Sequence, residues 1–111
     1  MSKERAEQRF LFSLNLLSQG ELAILKDLFF HEPDCAKFIA RRIRYDLKEV
    51  FEGLKLLENL KIIERVSATF VKKGRMIKHR NHTYYEIKKD WRKFLKNYFF
   101  ERSEYESGDG V

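Results

Sequence analysis

The side chains best suited to bind a ligand lie in one polar stretch, residues 72–82, which we call the basic loop. It carries five Lys and Arg residues, no acidic residue, and Gly74, where the chain can turn. The five are Lys72, Lys73, Arg75, Lys78 and Arg80. Long cationic side chains on a loop suit contacts to the phosphates of a nucleic acid. The alternative is an ordinary solvated surface loop.

The rest of the chain offers little for catalysis or metal binding. His79 and His82 have the spacing of half a zinc site, and the other soft ligands are His31 and Cys35. The sequence contains no glycine-rich phosphate loop, no evident pair of carboxylates in a cleft and no nucleophile with a matched base. Cys35 could be a redox-sensitive thiol, but a small buried core residue fits better. We therefore expect no catalytic residue, metal or cofactor, and a protein that is not an enzyme.

The charge of the chain is unevenly distributed. The 111 residues have a formal net charge of +6. Residues 61–96 alone hold twelve Lys and Arg against three Asp and Glu, so the remainder is net negative. Such an imbalance favours a polyanionic partner. The single cysteine suits a reducing compartment, and no apolar run approaches the ~20 residues that cross a bilayer. We expect a cytoplasmic protein of one domain.

The elements that position the basic loop follow from hydrophobic spacing. Apolar residues three or four apart, with candidate caps at Ser18, Asp34 and Asp46, predict four helices. Their ranges are 6–17, 19–30, 35–44 and 47–60. The first segment also alternates as a strand would, but we favour the helix.

After Lys61 the sequence changes character. β-branched and aromatic residues predict two antiparallel strands, over 62–71 and 83–87, with the basic loop between them. Asp90 then opens a final helix. The predicted fold is α+β, a winged helix-turn-helix with a three-helix core, a β-hairpin wing and extra N- and C-terminal helices. Its predicted parts are an N-terminal extension, the winged domain, a C-terminal helix and a disordered tail, at 1–17, 18–89, 90–103 and 104–111.

Two segments carry a resemblance to known proteins. Residues 39–57 resemble, without a gap, the helix-turn-helix of bacterial and archaeal winged-helix regulators, with small Ala40 at a close helix crossing. Across 34–96 the chain resembles an uncharacterised archaeal winged-helix family of unknown function. That resemblance rests on the sequences at 34–42 (DCAKFIARR), 63–66 (IERV) and 82–85 (HTYY). It implies the fold and a presumption of DNA binding, but no known ligand.

The sequence departs from the usual regulators in two respects. Arg44 and Lys61 stand where glycine commonly ends a helix in the left-handed conformation, so another residue must adopt it or the turn differs. The second departure is charge, because residues 46–61 hold three Lys against four acidic residues. A helix that enters the major groove normally carries positive charge. Its predicted solvent face comprises Lys48, Glu49, Glu52, Lys55, Leu56 and Asn59.

We predict that the protein binds double-stranded DNA, as a transcriptional regulator. Leu56 could contact a thymine methyl group and Asn59 could read adenine. The predicted contacts outside the basic loop are Arg41, Arg42, Arg44, Lys48, Lys55 and Asn59. The alternative is a winged-helix module for protein–protein contacts in a larger complex, with Leu56 and Phe51 in the contact, since a fold does not fix a function.

The terminal helices hold more apolar side chains than a small winged-helix core should absorb. Large apolar patches are unusual on a monomer, so we predict a homodimer. The predicted interface comprises Phe10, Leu14, Leu17, Trp91, Phe94, Leu95, Tyr98 and Phe99. The alternative is that both helices fold back and enlarge the core of the single chain.

Overall fold

The computed structural model describes residues 3–66 and 83–109, with side chains over 8–66 and 83–100. Within them the chain forms five helices and three strands. In chain order these are α1 (Lys3–Asn15), α2 (Gln19–His31), β1 (Asp34–Cys35), α3 (Ala36–Ile43), α4 (Leu47–Asn59), β2 (Ile63–Val66), β3 (Tyr84–Ile87) and α5 (Lys89–Asp109). The predicted α+β winged-helix order is confirmed.

The start of α2 follows the sequence closely. Ser18 Oγ accepts a hydrogen bond from the Glu21 amide at 3.2 Å, and Glu21 Oε1 accepts one from the Ser18 amide at 2.9 Å. This reciprocal pair is the predicted capping box. The helix ends at His31, two residues before Pro33, which cannot continue it.

Of the other two predicted caps, Asp46 is confirmed in position only, and Asp34 is not an N-cap. Asp46 is the N-cap of α4, but its side chain makes no capping hydrogen bond. The N-cap of α3 is Cys35, and Asp34 lies one residue earlier in β1. The Asp34 carboxylate accepts a hydrogen bond from the Cys35 amide at 2.8 Å and another from Arg42. It therefore serves tertiary contacts that local sequence does not reveal.

The sheet has three antiparallel strands in the order β1-β3-β2. Residues Ile63 and Ile87 are partners at one end of the β2–β3 pair, and Val66 and Tyr84 at the other. Segment 67–82, which holds the basic loop, therefore connects two adjacent strands of the sheet. It lies outside the described residues. The two-residue strand β1 was not predicted.

The core lies where α2, α3 and α4 cross above the sheet. Leu25, Leu28, Ile39 and Leu54 are fully buried there. A Cβ atom at Gly53 would collide with Ile24 Cδ1, so glycine lets α4 pack against α2 without displacing the end of the buried Ile24 side chain. This contact fixes the buried face of α4, and with it the face that α4 presents to solvent.

Two arginines join these elements through ion pairs. Arg42 Nη2 lies 2.8 Å from Asp27 Oδ2 and 2.6 Å from Asp34 Oδ2, which ties α3 to α2 and β1. Arg92 Nη2 donates to Glu32 Oε1 at 2.6 Å and to the Ile87 carbonyl at 3.0 Å. Because Glu32 Oε1 also accepts from the Ile87 amide at 3.1 Å, this group fixes α5 to β3 and the end of α2.

The terminal helices require a correction of the predicted dimer interface. Of its eight residues, five are buried in the core of the single chain: Leu14, Leu17, Trp91, Leu95 and Phe99. The others, Phe10, Phe94 and Tyr98, are half-buried against that core. The rings of Phe10 and Trp91 meet edge to face with centroids 4.5 Å apart, which joins α1 to α5. All eight side chains therefore pack within one chain. This arrangement is the alternative in which both terminal helices fold back and enlarge the core of the single chain.

Helix α5 is also longer than predicted. It continues to Asp109, whereas we expected it to end near 103 and to be followed by a disordered tail from 104. The sequence has no proline here and no glycine before Gly108, so nothing in the backbone chemistry forces the helix to end sooner. Within the described ranges, no helix is long and apolar enough to span a membrane.

The left-handed conformation of Lys61 should reduce the stability of the fold, and substitutions at this position can measure the cost. Its φ of 63° costs a residue with a Cβ atom about 1–2 kcal/mol; glycine removes this strain but gives up more chain entropy on folding. We expect Lys61→Gly to raise the free energy of unfolding by about 0.5–1 kcal/mol in urea titrations. Lys61→Ala is the control, because it removes the same charge but keeps Cβ. Equal stability of the two variants would contradict the argument.

The Arg42 ion pairs predict a large decrease in stability on truncation. Asp34 is only 8% exposed, so Arg42→Ala leaves a buried carboxylate without its cation. We expect the free energy of unfolding to fall by about 2 kcal/mol, below the cost for a fully buried pair because Arg42 reaches solvent. The exposed neighbour Arg41 is the matched control, and Arg41→Ala should change stability by less than about 0.5 kcal/mol. Similar decreases in both variants would refute the role of Arg42.

Candidate nucleic-acid interface

The candidate interface is built on the tight turn between α3 and α4. Arg44 ends α3 in the left-handed region, with φ 60° and ψ 44°. The Tyr45 amide donates to the Ala40 carbonyl at 3.1 Å, which closes the turn. The sequence left two alternatives at Arg44 and Lys61: a left-handed residue other than glycine, or a different turn. Both residues have positive φ, so the first alternative is correct. Only a short turn consequently separates the two helices.

One side of α4 is buried and the rest is open to solvent. Val50, Gly53, Leu54 and Leu57 form the buried side. With about 100° of rotation per residue, the exposed Lys48, Lys55 and Asn59 fall within about 40° of one another, opposite the core. We call these three residues the central stripe. All three were predicted as DNA contacts, and all three are accessible.

The acidic residues of α4 flank the central stripe. Glu52 adjoins it, four residues after Lys48 and three before Lys55, whereas Glu49 lies farther around the exposed arc. Glu58 lies on the other side but is paired, because Arg65 Nε of β2 is 2.9 Å from its Oε2. The hydrogen bond and charge of Glu58 raise the pKa of Arg65. The negative net charge of the helix therefore does not describe the field along its central stripe.

Apolar residues also occupy the exposed arc, but Leu56, the one predicted on the solvent face, is not among them. Leu56 was expected on the solvent face, whereas it is half-buried and packs against the core. It lies on the side of α4 next to Gly53, where α4 meets α2, which explains the error. Leu47 and Phe51 are instead exposed, by 44% and 52%, on the edge of the arc away from Glu49 and Glu52 and beside Glu58. They are one helical turn apart and so adjoin each other.

The three arginines predicted as DNA contacts have different surroundings. Arg41 and Arg44 are exposed, and the Arg41 guanidinium lies over the Phe38 ring at 5.9 Å. Arg42 is engaged by Asp27 and Asp34. Burial alone lowers the pKa of Arg42, but hydrogen bonds and charges from both carboxylates outweigh it and raise the pKa. We therefore reassign Arg42 from phosphate contact to the internal support of the helix-turn-helix.

Residues of the other predicted sites are only partly described. The five cationic residues of the basic loop, with His79 and His82, fall in the segment 67–82 and lie outside the described residues. Cys35 is buried, as the core interpretation predicted. In the described part of the chain, no group of three or more His, Cys, Asp or Glu side chains is arranged to hold a metal ion.

Similar structures share this architecture. Streptococcus pneumoniae FabT in complex with DNA is 19% identical, with a TM-score of 0.62 over 86% of this chain and 63% of FabT. The S. aureus MepR–DNA complex is 17% identical, with a TM-score of 0.63 over 97% of this chain and 81% of MepR. Staphylococcus aureus MarR, solved with salicylate and kanamycin, is 14% identical, with a TM-score of 0.62 over 94% of this chain and 63% of MarR.

These neighbours are MarR-family winged-helix regulators rather than enzymes. At such identities the likeness establishes the fold, and the chain spans less than two thirds of the length of MarR and FabT. No curated protein has a matching sequence. Residues 14–98 match the family described as an uncharacterized protein conserved in archaea, DUF2250. The chain therefore belongs to this archaeal family, and its fold is the winged helix of the MarR-type regulators.

Proposed function

We propose that the protein is a transcription regulator that binds double-stranded DNA through α4 and the basic loop. The observation that carries the proposal is the central stripe of Lys48, Lys55 and Asn59, which is exposed and lies opposite the buried side of α4. A helix about 10–12 Å across fits the major groove, where such side chains reach base edges and phosphates. The DNA complexes of FabT and MepR, which share the fold, support this proposal.

Each group of basic residues has a separate role in the proposal. Lys55 and Asn59 face the base edges, and an Asn amide can make two hydrogen bonds with adenine. Arg41 and Arg44 contact phosphates beside the start of α4, as does Lys48. The basic loop supplies most of the electrostatic attraction, since the net charge of α4 is small. Chromosomal DNA as the partner places the protein in the cytoplasm.

The proposal includes a homodimer, with a revised interface. Because the residues first assigned to it are engaged within one chain, the interface falls to exposed apolar residues of the terminal helices. These are Leu11 and Phe12 on α1, Leu16 just after α1, and Phe100 on α5. A two-fold dimer would present two copies of α4 to half-sites about one DNA turn apart.

A second function is favoured by a different observation. Leu47 and Phe51 give α4 an exposed apolar edge, and the net charge of this helix is negative. Both features would suit a protein-interaction module in a larger complex. The two functions differ in their response to salt, because phosphate contacts release counterions from DNA and binding then weakens steeply with salt.

DNA binding and the role of the basic loop are tested together. We expect the full chain to bind random duplex DNA with micromolar or tighter affinity at 50 mM salt, measured by fluorescence anisotropy. Removal of one phosphate-binding side chain should reduce the slope of log affinity against log salt by ~0.9. Lys73→Ala, Arg75→Ala and Lys78→Ala together should therefore lower the slope by roughly 2–3, about equally for all sequences.

The matched comparison is Lys55→Ala or Asn59→Ala in α4. These changes should leave the slope almost unchanged and weaken only the preferred site, by ~1–3 kcal/mol, because base contacts specify and phosphate contacts position. A folded triple variant with an unchanged slope would transfer the electrostatic role to the start of α5, through Lys88 just before the helix and Lys89 and Lys93 within it, beside Arg92, which pairs with Glu32. Absence of binding by the unmodified chain at 50 mM salt would favour the protein-interaction module.

The dimer is tested by light scattering at micromolar concentration. We expect a mass of about twice the 13.5 kDa of one chain. Phe12→Glu with Leu16→Glu should give the monomer mass, because charge on a buried apolar contact disfavours association. Leu47→Glu, an equally drastic change on α4, is the control and should leave the dimer intact. A mass of 13.5 kDa for the unmodified chain would rule out the homodimer.

A further inference from the structure

Leu47 and Phe51 have no structural explanation within the chain. Both side chains are large, apolar and exposed, and neither belongs to the hydrophobic core nor to the partly buried residues packed against it. Their spacing of four residues places them on one edge of α4, in its N-terminal half. Because the two adjoin each other on the helix that faces the proposed DNA, they form a candidate contact surface for a ligand.

The charges next to this pair indicate what the ligand is. Around the helix axis Phe51 is followed by Lys55 and Lys48, within about 60°. Glu58 adjoins the pair on the same side, but Arg65 neutralises it. Glu49 and Glu52 lie about 100° or more from Phe51, beyond the central stripe. Asp46, the N-cap residue, precedes Leu47, but within α4 the unpaired charges nearest to Phe51 are cationic, which suits a surface whose rim is phosphate.

The geometry points to thymine: we propose that Leu47 and Phe51 contact the C5-methyl groups of thymines in the major groove. This inference rests on the proposed DNA binding and adds how the sequence is read. The thymine methyl is the apolar group that base pairs present in the major groove, and side chains such as Phe contact it directly. The role given to Leu56 from the sequence thus passes to two residues on the opposite edge of α4. Apolar readout also explains how a helix with few cations can select a sequence.

The test compares thymine with uracil, which lacks only the C5-methyl group. A duplex is selected from a random pool with the full chain, and the same duplex is then prepared with every thymine replaced by deoxyuridine. We expect the unmodified protein to bind the thymine duplex more tightly, by about fourfold for each methyl group contacted. Anisotropy titrations of both duplexes at one salt concentration give this ratio.

Substitutions test whether Leu47 and Phe51 are responsible for the thymine preference. Leu47→Ala with Phe51→Ala should bind both duplexes equally, within about twofold, because the shortened side chains no longer distinguish the methyl group. Phe30→Ala is the matched control, since Phe30 is an exposed phenylalanine of similar accessibility on α2. It should keep the preference of the unmodified protein. All altered side chains are exposed, and circular dichroism confirms that the variants fold.

The outcomes of this experiment are distinguishable. A thymine preference that disappears only in the Leu47/Phe51 variant supports the inference. Equally tight binding of both duplexes by the unmodified protein overturns it and leaves DNA binding intact, as does a preference that survives in the variant. Failure of the unmodified protein to bind any duplex at 50 mM salt overturns both proposals, and the apolar pair then belongs to a protein contact.

Discussion

The arrangement of the candidate interface depends on one arginine between two carboxylates. Arg42 joins Asp27 of α2 and Asp34 of β1, and it lies in the last turn of α3. Because β1 pairs with β3, the same contact links the helices to the sheet from which the basic loop emerges. Two anions on separate elements offset the cost of desolvating Arg42. Both ion pairs therefore form in one relative arrangement of α2, α3 and β1. An arginine that looked like part of a DNA-binding cluster thus sets the geometry of its neighbours.

Net charge proves a poor guide to what a helix can bind. The central stripe of α4 carries two lysines, Glu49 and Glu52 lie on one side of it, and Glu58 on the other side is neutralised by a residue of β2. A polyanion responds to the charges within about a Debye length of its own surface, ~10 Å at 0.1 M salt, and an ion pair at that distance acts as a weak dipole. The distribution of charge around the axis, which burial of the Gly53 side determines, therefore matters more than its sum.

Features that depend on local chemistry were predictable from the sequence. The capping box at Ser18 and Glu21, and the special positions of Arg44 and Lys61, involve groups within a few residues of one another. What the sequence could not provide depended on partners far along the chain. The strand β1 is two residues long and exists only because β3 pairs with it. Leu56 was misplaced because its burial depends on how closely α4 packs on α2.

The terminal helices show the same limit of sequence-based prediction, here with a consequence for dimer formation. An excess of apolar residues was correctly noticed, but periodicity does not say whether they face their own chain or another. Trp91 and Leu95 complete the core of this small domain, where the surface-to-volume ratio makes every buried ring valuable. The exposed Leu11, Phe12 and Leu16 lie on or beside the helix that carries buried Leu14. A partner that covered them would bind a helix already fixed to the core, and the contacts of α1 with α5, of α5 with α2 and of α2 with α4 would connect association to the position of α4.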